Sequence, residues 1–168
     1  MNNTFLVAAL VATALCQTSI AQTDSTSVFK NVVASYLDLK DALTRDDGDS
    51  ARIAGGQLQS AVHNVPTDSL PSKQRAVWTK YDRQMSHDAE QITTTEDIES
   101  MREHFQELSV NMYQLLRALT INTVDLYYQY CPMAKAFWVS ADAKIINPYQ
   151  GQMMPTCGSN KDTLTAVK

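Results

Sequence analysis

The chain has 168 residues, with 14 Lys or Arg against 18 Asp or Glu, so its formal net charge is −4 at pH 7. This length predicts one domain and suffices to bury a core without covalent cross-links. Because the sequence has no basic run or stripe, we exclude nucleic acid as the expected partner.

Segment 1–21 is typical of a secretory signal peptide. Its apolar run 5–15 follows a short polar start, and small residues precede an expected cleavage point after Ala21. The run is too short to cross a bilayer and no second one follows, so we expect no membrane span and a periplasmic or secreted protein. A lipid anchor on Cys16 is the alternative, which the bulky Leu15 disfavours.

Two amphipathic helices are predicted at the start of the expected mature chain. The first begins at Ser27, its N-cap, and ends near Gly48, and Asp49 is the expected cap of the second. Gly55 and Gly56 each weaken the second helix by about 1 kcal/mol relative to Ala, so we expect a neighbouring helix to approach closely there. The apolar stripe of the first helix comprises Val28, Val32, Tyr36, Leu39 and Leu43. That of the second comprises Ala54, Leu58, Ala61 and Val65.

Two longer helices are predicted after a loop at 66–71. The third helix covers about residues 72–92, and Thr95 is the expected N-cap of the fourth. The fourth has the most regular pattern in the chain, with apolar residues alternately three and four apart. The stripe of the third helix comprises Val77, Tyr81, Met85, Ala89 and Ile92. The stripe of the fourth comprises Ile98, Met101, Phe105, Leu108, Met112, Leu115 and Leu119.

Residues after Ile121 lose the helical pattern. Segments 124–130 and 136–139 are rich in β-branched and aromatic residues and are predicted to be extended. NPYQG at 147–151 has turn chemistry.

These elements predict a mainly α fold. Four helices with short connections favour an antiparallel four-helix bundle, on which a C-terminal segment of loops and short strands packs. The expected organisation is a polar tether at 22–26, a single helical-bundle domain at 27–158 and a polar, frayed tail at 159–168.

No motif for catalysis is present: the sequence has no glycine-rich phosphate loop, no G-x-S-x-G elbow and no H-E-x-x-H pair. We therefore expect no enzymatic activity. The three histidines lie on three different predicted helices. His63 and His87 are interpreted as surface or boundary residues, whereas His104 flanks the apolar stripe of the fourth helix. Trp138 and Tyr149 are expected to pack the C-terminal segment.

Two patches of the C-terminal segment contain sulfur. CPM places Cys131 and Met133 on either side of Pro132, so that an extended backbone would direct both sulfurs to the same side. MMPTCG holds Met154 and Cys157, which a turn can bring together. Because thiolate and thioether sulfur prefer Cu(I), the two patches together predict a soft-metal site of three or four sulfurs.

The same residues have other interpretations. Cys131 and Cys157 alone favour a disulfide, which would close a loop of about 25 residues and contribute roughly 3 kcal/mol in the chain-entropy model. An exported protein permits that bond without requiring it. Methionine also fills gaps in cores, and we interpret Met101 and Met112 in this way. The two methionines near the cysteines favour the metal site, but both alternatives stay open at this point.

Four stretches of the sequence resemble a known family. They are REHFQELSVNMYQLL at 102–116, YYQYCPMAKAFW at 127–138, NPYQG at 147–151 and M-x-x-CG at 154–158. On these stretches the sequence resembles the domain-of-unknown-function family numbered 3347 (DUF3347) over about residues 28–157. Similar domains of that family occur alone in exported bacterial proteins, or fused to periplasmic adaptor subunits of heavy-metal efflux pumps. The resemblance implies the handling of copper or silver, with an efflux adaptor or another periplasmic metal protein as the partner.

The resemblance also implies site residues. His104 matches a histidine of the REHF stretch, whereas Pro155 departs from the pattern and would tilt Met154 relative to Cys157, in which case Met153 is an additional sulfur. The other matching positions are Cys131, Pro132, Met133, Trp138, Asn147, Pro148, Tyr149, Gly151, Met154, Cys157 and Gly158.

Our leading hypothesis is therefore sequestration of Cu(I), or its delivery to an efflux system, with Ag(I) as the alternative ion. The expected ligands are Cys131, Met133, Met154 and Cys157, with His104 as a nitrogen ligand. The alternative is a structural or partner-binding module that contains a Cys131–Cys157 disulfide and no metal.

Overall fold

A computed structural model describes residues 25–167 of the chain. The protein is mainly helical, with four α-helices and a small antiparallel sheet of three strands. The predicted signal peptide, the anchor on Cys16 and most of the tether lie outside the described residues. The helices are α1 Ser25–Thr44, α2 Gly48–His63, α3 Ser72–Thr94 and α4 Ile98–Leu119, with a 3-10 turn at Thr67–Ser69. The strands are β1 Leu126–Cys131, β2 Ala136–Ser140 and β3 Ser159–Leu164.

Aspartates, rather than the predicted residues, cap two of the helices. The side chains of Asp47 and Asp97 each accept a hydrogen bond, 3.0 Å long, from the backbone N–H three residues later, at the starts of α2 and α4. Asp49 lies inside the first turn of α2, and Thr95 ends α3 instead of starting α4, so both predicted caps are wrong. Ser27 lies within α1. Each connection contains several Asp, Ser or Thr residues that could act as the N-cap, and composition alone does not identify which of them does.

The helices pack in chain order, α1 against α2, α2 against α3 and α3 against α4. Gly55 confirms the predicted close approach, because a Cβ on it would lie 3.1 Å from Ile92 Cγ2 and 3.2 Å from the Ala89 carbonyl of α3. In α3, Met85, Ala89 and Ile92 are buried as predicted. In the first half of the helix Trp78 is the buried residue, whereas Val77 and Tyr81 of the predicted stripe lie at the boundary. Among residues 25–167, no helix is long and apolar enough to cross a membrane.

The sheet has the order β2-β1-β3, and β1 pairs antiparallel with both neighbours. The two extended segments predicted from composition are β1 and β2. The tail was expected to be frayed from residue 159, but its first six residues form β3, in which Ser159 pairs with Tyr130 and Thr163 with Tyr127. Residues of β3 are mostly exposed and polar, so backbone pairing with β1 rather than an apolar pattern holds this strand.

Buried hydroxyl groups and aromatic rings attach the sheet to the helices. The Tyr36 hydroxyl of α1 lies 2.8 Å from Ser109 Oγ of α4 and accepts a hydrogen bond from the Val139 N–H of β2 at 3.0 Å. The ring of Tyr149 packs 5.8 Å from that of Phe105. Tyr149, like Trp138, therefore packs the C-terminal segment as predicted, and the helices contact β2 and the loop that carries Tyr149.

Candidate dithiol site

Cys131 and Cys157 form the centre of the candidate site. Their sulfur atoms lie 3.6 Å apart, and both are free thiols. Cys131 is fully buried at the end of β1, whereas Cys157 is partly exposed just before β3. A disulfide would need about 2.05 Å between the sulfurs, so the two thiols are in contact without a covalent bond.

A tight turn shapes the Cys131 side of the site. The backbone turns over residues 132–135, Lys135 adopts a φ of 51°, and the chain returns as β2 at Ala136. The Ala134 N–H points back and donates to Cys131 Sγ at 3.4 Å. The extended 131–133 segment of the prediction is therefore wrong, because Pro132 cannot donate a ladder hydrogen bond and the strand ends before it.

A loop closed by Asn147 shapes the Cys157 side. The Asn147 N–H donates to the Pro155 carbonyl at 2.8 Å, and the Asn147 Nδ2 donates to the Cys157 carbonyl at 2.5 Å. The Cys157 N–H in turn donates to the Met154 carbonyl at 3.2 Å. These bonds fold residues 147–157 into a compact loop that brings Cys157 to the end of β1.

Arg102 attaches this loop to the helices. Its Nε donates to the Pro148 carbonyl at 2.8 Å and its Nη2 to the Leu43 carbonyl at 3.1 Å, while its guanidinium forms an ion pair with Asp46. The Gln152 N–H also donates to Asp46 at 3.0 Å, and this bond, followed by those from Arg102, holds the pKa of that carboxyl below its usual range. Arg102 thus connects α4, the α1–α2 turn and the loop that carries Cys157.

The surroundings of the two thiols shift their pKa values in opposite directions. Burial raises the pKa of the Cys131 thiol, but hydrogen bonds from the Ala134 N–H, the Asn147 amide and the Cys157 thiol outweigh it and leave that pKa below its ordinary value. The hydrogen bond to Cys131, followed by burial, raises the pKa of Cys157. Cys131 therefore ionises first, and the thiolate is the form of cysteine that binds a metal.

The comparison with known proteins identifies a family and nothing narrower. A model of the family described as "Protein of unknown function (DUF3347)" matches residues 32–123, which is more than half of the chain. The chain belongs to the DUF3347 family. The matched region contains most of α1 and all of α2, α3 and α4, and it ends before Cys131. No curated protein and no solved structure matches the chain.

The methionines implied by the DUF3347 resemblance lie on the protein surface. The exposed fraction is 65% for Met133, 85% for Met153 and 41% for Met154. Met133 is in the turn that follows Cys131, and the other two are in the loop that precedes Cys157. The thioethers therefore lie on the two segments that carry the thiols, at their solvent side.

The structure does not bring His104 to the cysteines. His104 is half-buried on α4, and its Nδ1 lies 3.9 Å from Asp88 Oδ1 of α3. Within residues 25–167, no three His, Cys, Asp or Glu side chains converge in a way that could hold a metal. His63 and His87 are exposed, as predicted.

Sequence reasoning identified the cysteine pair but missed Asn147 as a contact residue and missed Arg102. Asn147 was one of the positions that match the family pattern, and Arg102 begins the REHF stretch. Both bond to backbone carbonyls of distant segments, and no residue-type pattern marks such an acceptor.

Proposed function

We propose that this protein is an exported metal-binding protein that takes up Cu(I), or alternatively Ag(I), through Cys131 and Cys157. The observation that carries the proposal is the pair of unbonded thiols 3.6 Å apart, one of them with a lowered pKa. Two thiolates in contact attract a soft cation strongly, because the cation removes the repulsion between them.

The separation of the sulfurs supports a metal with more than two ligands. We take a metal–sulfur length of about 2.3 Å, the value for zinc, as a guide. The sine of half the S–metal–S angle then equals half the sulfur–sulfur distance of 3.6 Å divided by that length. That angle is about 103°, close to tetrahedral, whereas a linear two-coordinate ion would need sulfurs about 4.6 Å apart. Two further positions on the ion are therefore open.

Thioethers are the candidate ligands for those positions. Met133 and Met154 each lie next to a cysteine segment, and an exposed methionine has three rotatable bonds with which to turn its sulfur inward. Met153 is the substitute if Pro155 holds Met154 away. We leave His104 out of the proposed site because its contact is with Asp88. Thioether ligands favour Cu(I) over harder divalent ions.

The cellular role in this proposal rests on the family resemblance. We propose a periplasmic or secreted protein that sequesters the ion or delivers it to a heavy-metal efflux adaptor. We also propose that α1 to α4, which pack in chain order with short connections, form an antiparallel four-helix bundle that supports the site. We propose no catalytic role.

Titration of the reduced protein with Cu(I) against a competing chelator tests the proposal. We expect Cys131→Ser and Cys157→Ser together to abolish tight binding, because they remove both thiolates. Met133→Leu combined with Met154→Leu should weaken Cu(I) binding and leave Zn(II) binding unchanged, because thioether ligands favour Cu(I). Met153→Leu is measured separately, because a loss of Cu(I) affinity in this variant would show that Met153 takes the place of Met154. Tight binding by the cysteine-free variant would contradict the proposal.

A thiol count on protein purified from the periplasm separates the alternative. Two free thiols that become protected when Cu(I) is added support the metal site. A persistent Cys131–Cys157 disulfide with no copper uptake would instead favour the structural or partner-binding module.

A further inference from the structure

The Asn147 side chain bonds both to its own turn and to the backbone of Cys157. Its side chain is fully buried. Its Oδ1 accepts hydrogen bonds from the Tyr149 N–H at 2.8 Å and the Gln150 N–H at 3.1 Å, while its Nδ2 donates to the Cys157 carbonyl at 2.5 Å. One amide group thus joins the start of the loop to the backbone of Cys157.

The sheet holds the other side of Cys157. Ser159, two residues later, pairs with Tyr130, which directly precedes Cys131. The register of β3 on β1 therefore keeps Cys157 near Cys131 whatever the loop does. What the sheet leaves open is the exact position of the Cys157 backbone. Two hydrogen bonds hold it: the Cys157 N–H donates to the Met154 carbonyl within the same loop, and Asn147 connects the Cys157 carbonyl to the start of the loop.

We propose that Asn147 is a positioning residue of the dithiol, and that its bond to the Cys157 carbonyl keeps the two sulfurs at metal-binding distance instead of letting them close to a disulfide. Closure would bring the sulfurs about 1.5 Å nearer, from 3.6 Å to about 2.05 Å. That movement has to displace the Cys157 backbone or its side chain against the loop. The metal half of this inference rests on the proposed function, whereas the disulfide half does not.

The thiol–disulfide equilibrium of the metal-free protein with glutathione is the primary test. In this reaction the two thiols lose two protons and two electrons as the sulfur–sulfur bond forms, and glutathione disulfide takes them up to give two glutathione thiols. We expect Asn147→Ala to favour the disulfide at least tenfold over the wild type, a potential about 30 mV more negative for this two-electron couple. Cu(I) affinity of the reduced variant should fall about 10- to 100-fold, as for other groups that orient metal ligands.

Asn122→Ala is the matched control. Asn122 is also a buried amide whose Nδ2 donates to two backbone carbonyls, those of Val124 and Leu164, each at 2.9 Å. These contacts lie at the opposite end of β1 from Cys131, where Leu126 pairs with Leu164. We expect Asn122→Ala to lower stability but to change the glutathione equilibrium less than twofold.

The inference is overturned if Asn147→Ala shifts the equilibrium no more than Asn122→Ala, or shifts it toward the thiols as general loosening would. If Asn147→Ala does not fold, Asn147→Asp decides. It keeps an acceptor for the Tyr149 and Gln150 N–H groups and loses the bonds that the amide donates to the Cys157 carbonyl and to the Cys131 thiol, so a shift toward the disulfide is expected and its absence overturns the inference. Failure of the wild type to bind Cu(I) would overturn the proposed function, and the glutathione equilibrium would still decide the role of Asn147.

Discussion

Replacing Gly158 by alanine tests how rigidly the sheet and the site are joined. Gly158 follows Cys157 and has a φ of 149°, a backbone conformation that residues other than glycine rarely adopt. A Cβ there would lie 2.9 Å from the Tyr130 carbonyl oxygen and 2.9 Å from Cη2 of Trp138. Neither neighbour can yield easily, because Tyr130 is in the central strand and Trp138 is fully buried.

Two costs add in this variant. An alanine held at such a φ costs about 1–3 kcal/mol in backbone strain. Forcing a further methyl group into a packed site typically costs another 1–3 kcal/mol or so. We therefore expect Gly158→Ala to lower the free energy of unfolding by about 2–6 kcal/mol, a large part of the roughly 5–15 kcal/mol typical of a domain.

Urea denaturation of the wild type, Gly158→Ala and Gly56→Ala measures this effect. Gly56 is the control because a Cβ on it meets only Thr93 Cγ2, at an ordinary 3.7 Å, in the interior of α2. Alanine there should stabilise the protein by up to about 1 kcal/mol through helix propensity. The reasoning is refuted if Gly158→Ala is as stable as the wild type or gains stability as Gly56→Ala does.

Three further substitutions test the packing of the helices and of the sheet on them. Tyr36→Phe removes the buried acceptor of the Val139 N–H and should cost about 1–3 kcal/mol in urea denaturation, so an unchanged midpoint would contradict the role of this hydroxyl. Gly55→Ala should destabilise despite the better helix propensity of alanine, because its Cβ would lie 3.2 Å from the Ala89 carbonyl, and a gain in stability would show that α2 and α3 can separate. Burial raises the pKa of Asp88, so its ionisation costs stability that returns as the pH falls through that raised pKa toward the unfolded value of about 3.9. The free energy of unfolding of Asp88→Asn should therefore exceed that of the wild type most at pH 7, and the difference should shrink toward pH 4. A difference that does not depend on pH would exclude the ionisation of Asp88 as its source.

Periodicity and residue type predicted most of the fold. The stripe of α4 is buried from Met101 to Leu115 as expected, since this spacing places the apolar side chains on one face of the helix, which packs into the core. The aromatic and β-branched residues of β1 and β2 marked both strands. β3 lacks such residues and was missed, because an exposed edge strand needs only backbone pairing and leaves no apolar pattern.

The site was less predictable than the fold. Two cysteines far apart in the sequence suggested a pair, and the structure places their sulfurs 3.6 Å apart. The extended backbone from which a common side for Cys131 and Met133 was predicted is absent, because Pro132 starts a turn instead of continuing the strand. The partners of Asn147 and Arg102 are carbonyl groups, which every residue carries, so only the folded chain shows them.

The unequal exposure of the thiols bears on what such a site would do with its ion. Cys131 is fully buried and has the lower pKa, whereas Cys157 is partly exposed. An ion held by both would therefore meet an incoming ligand on the Cys157 side, where Met153 and Met154 are also exposed. In the proposed function, an accessible thiol next to exposed thioethers, both of them soft ligands, therefore suits delivery of the ion to a partner.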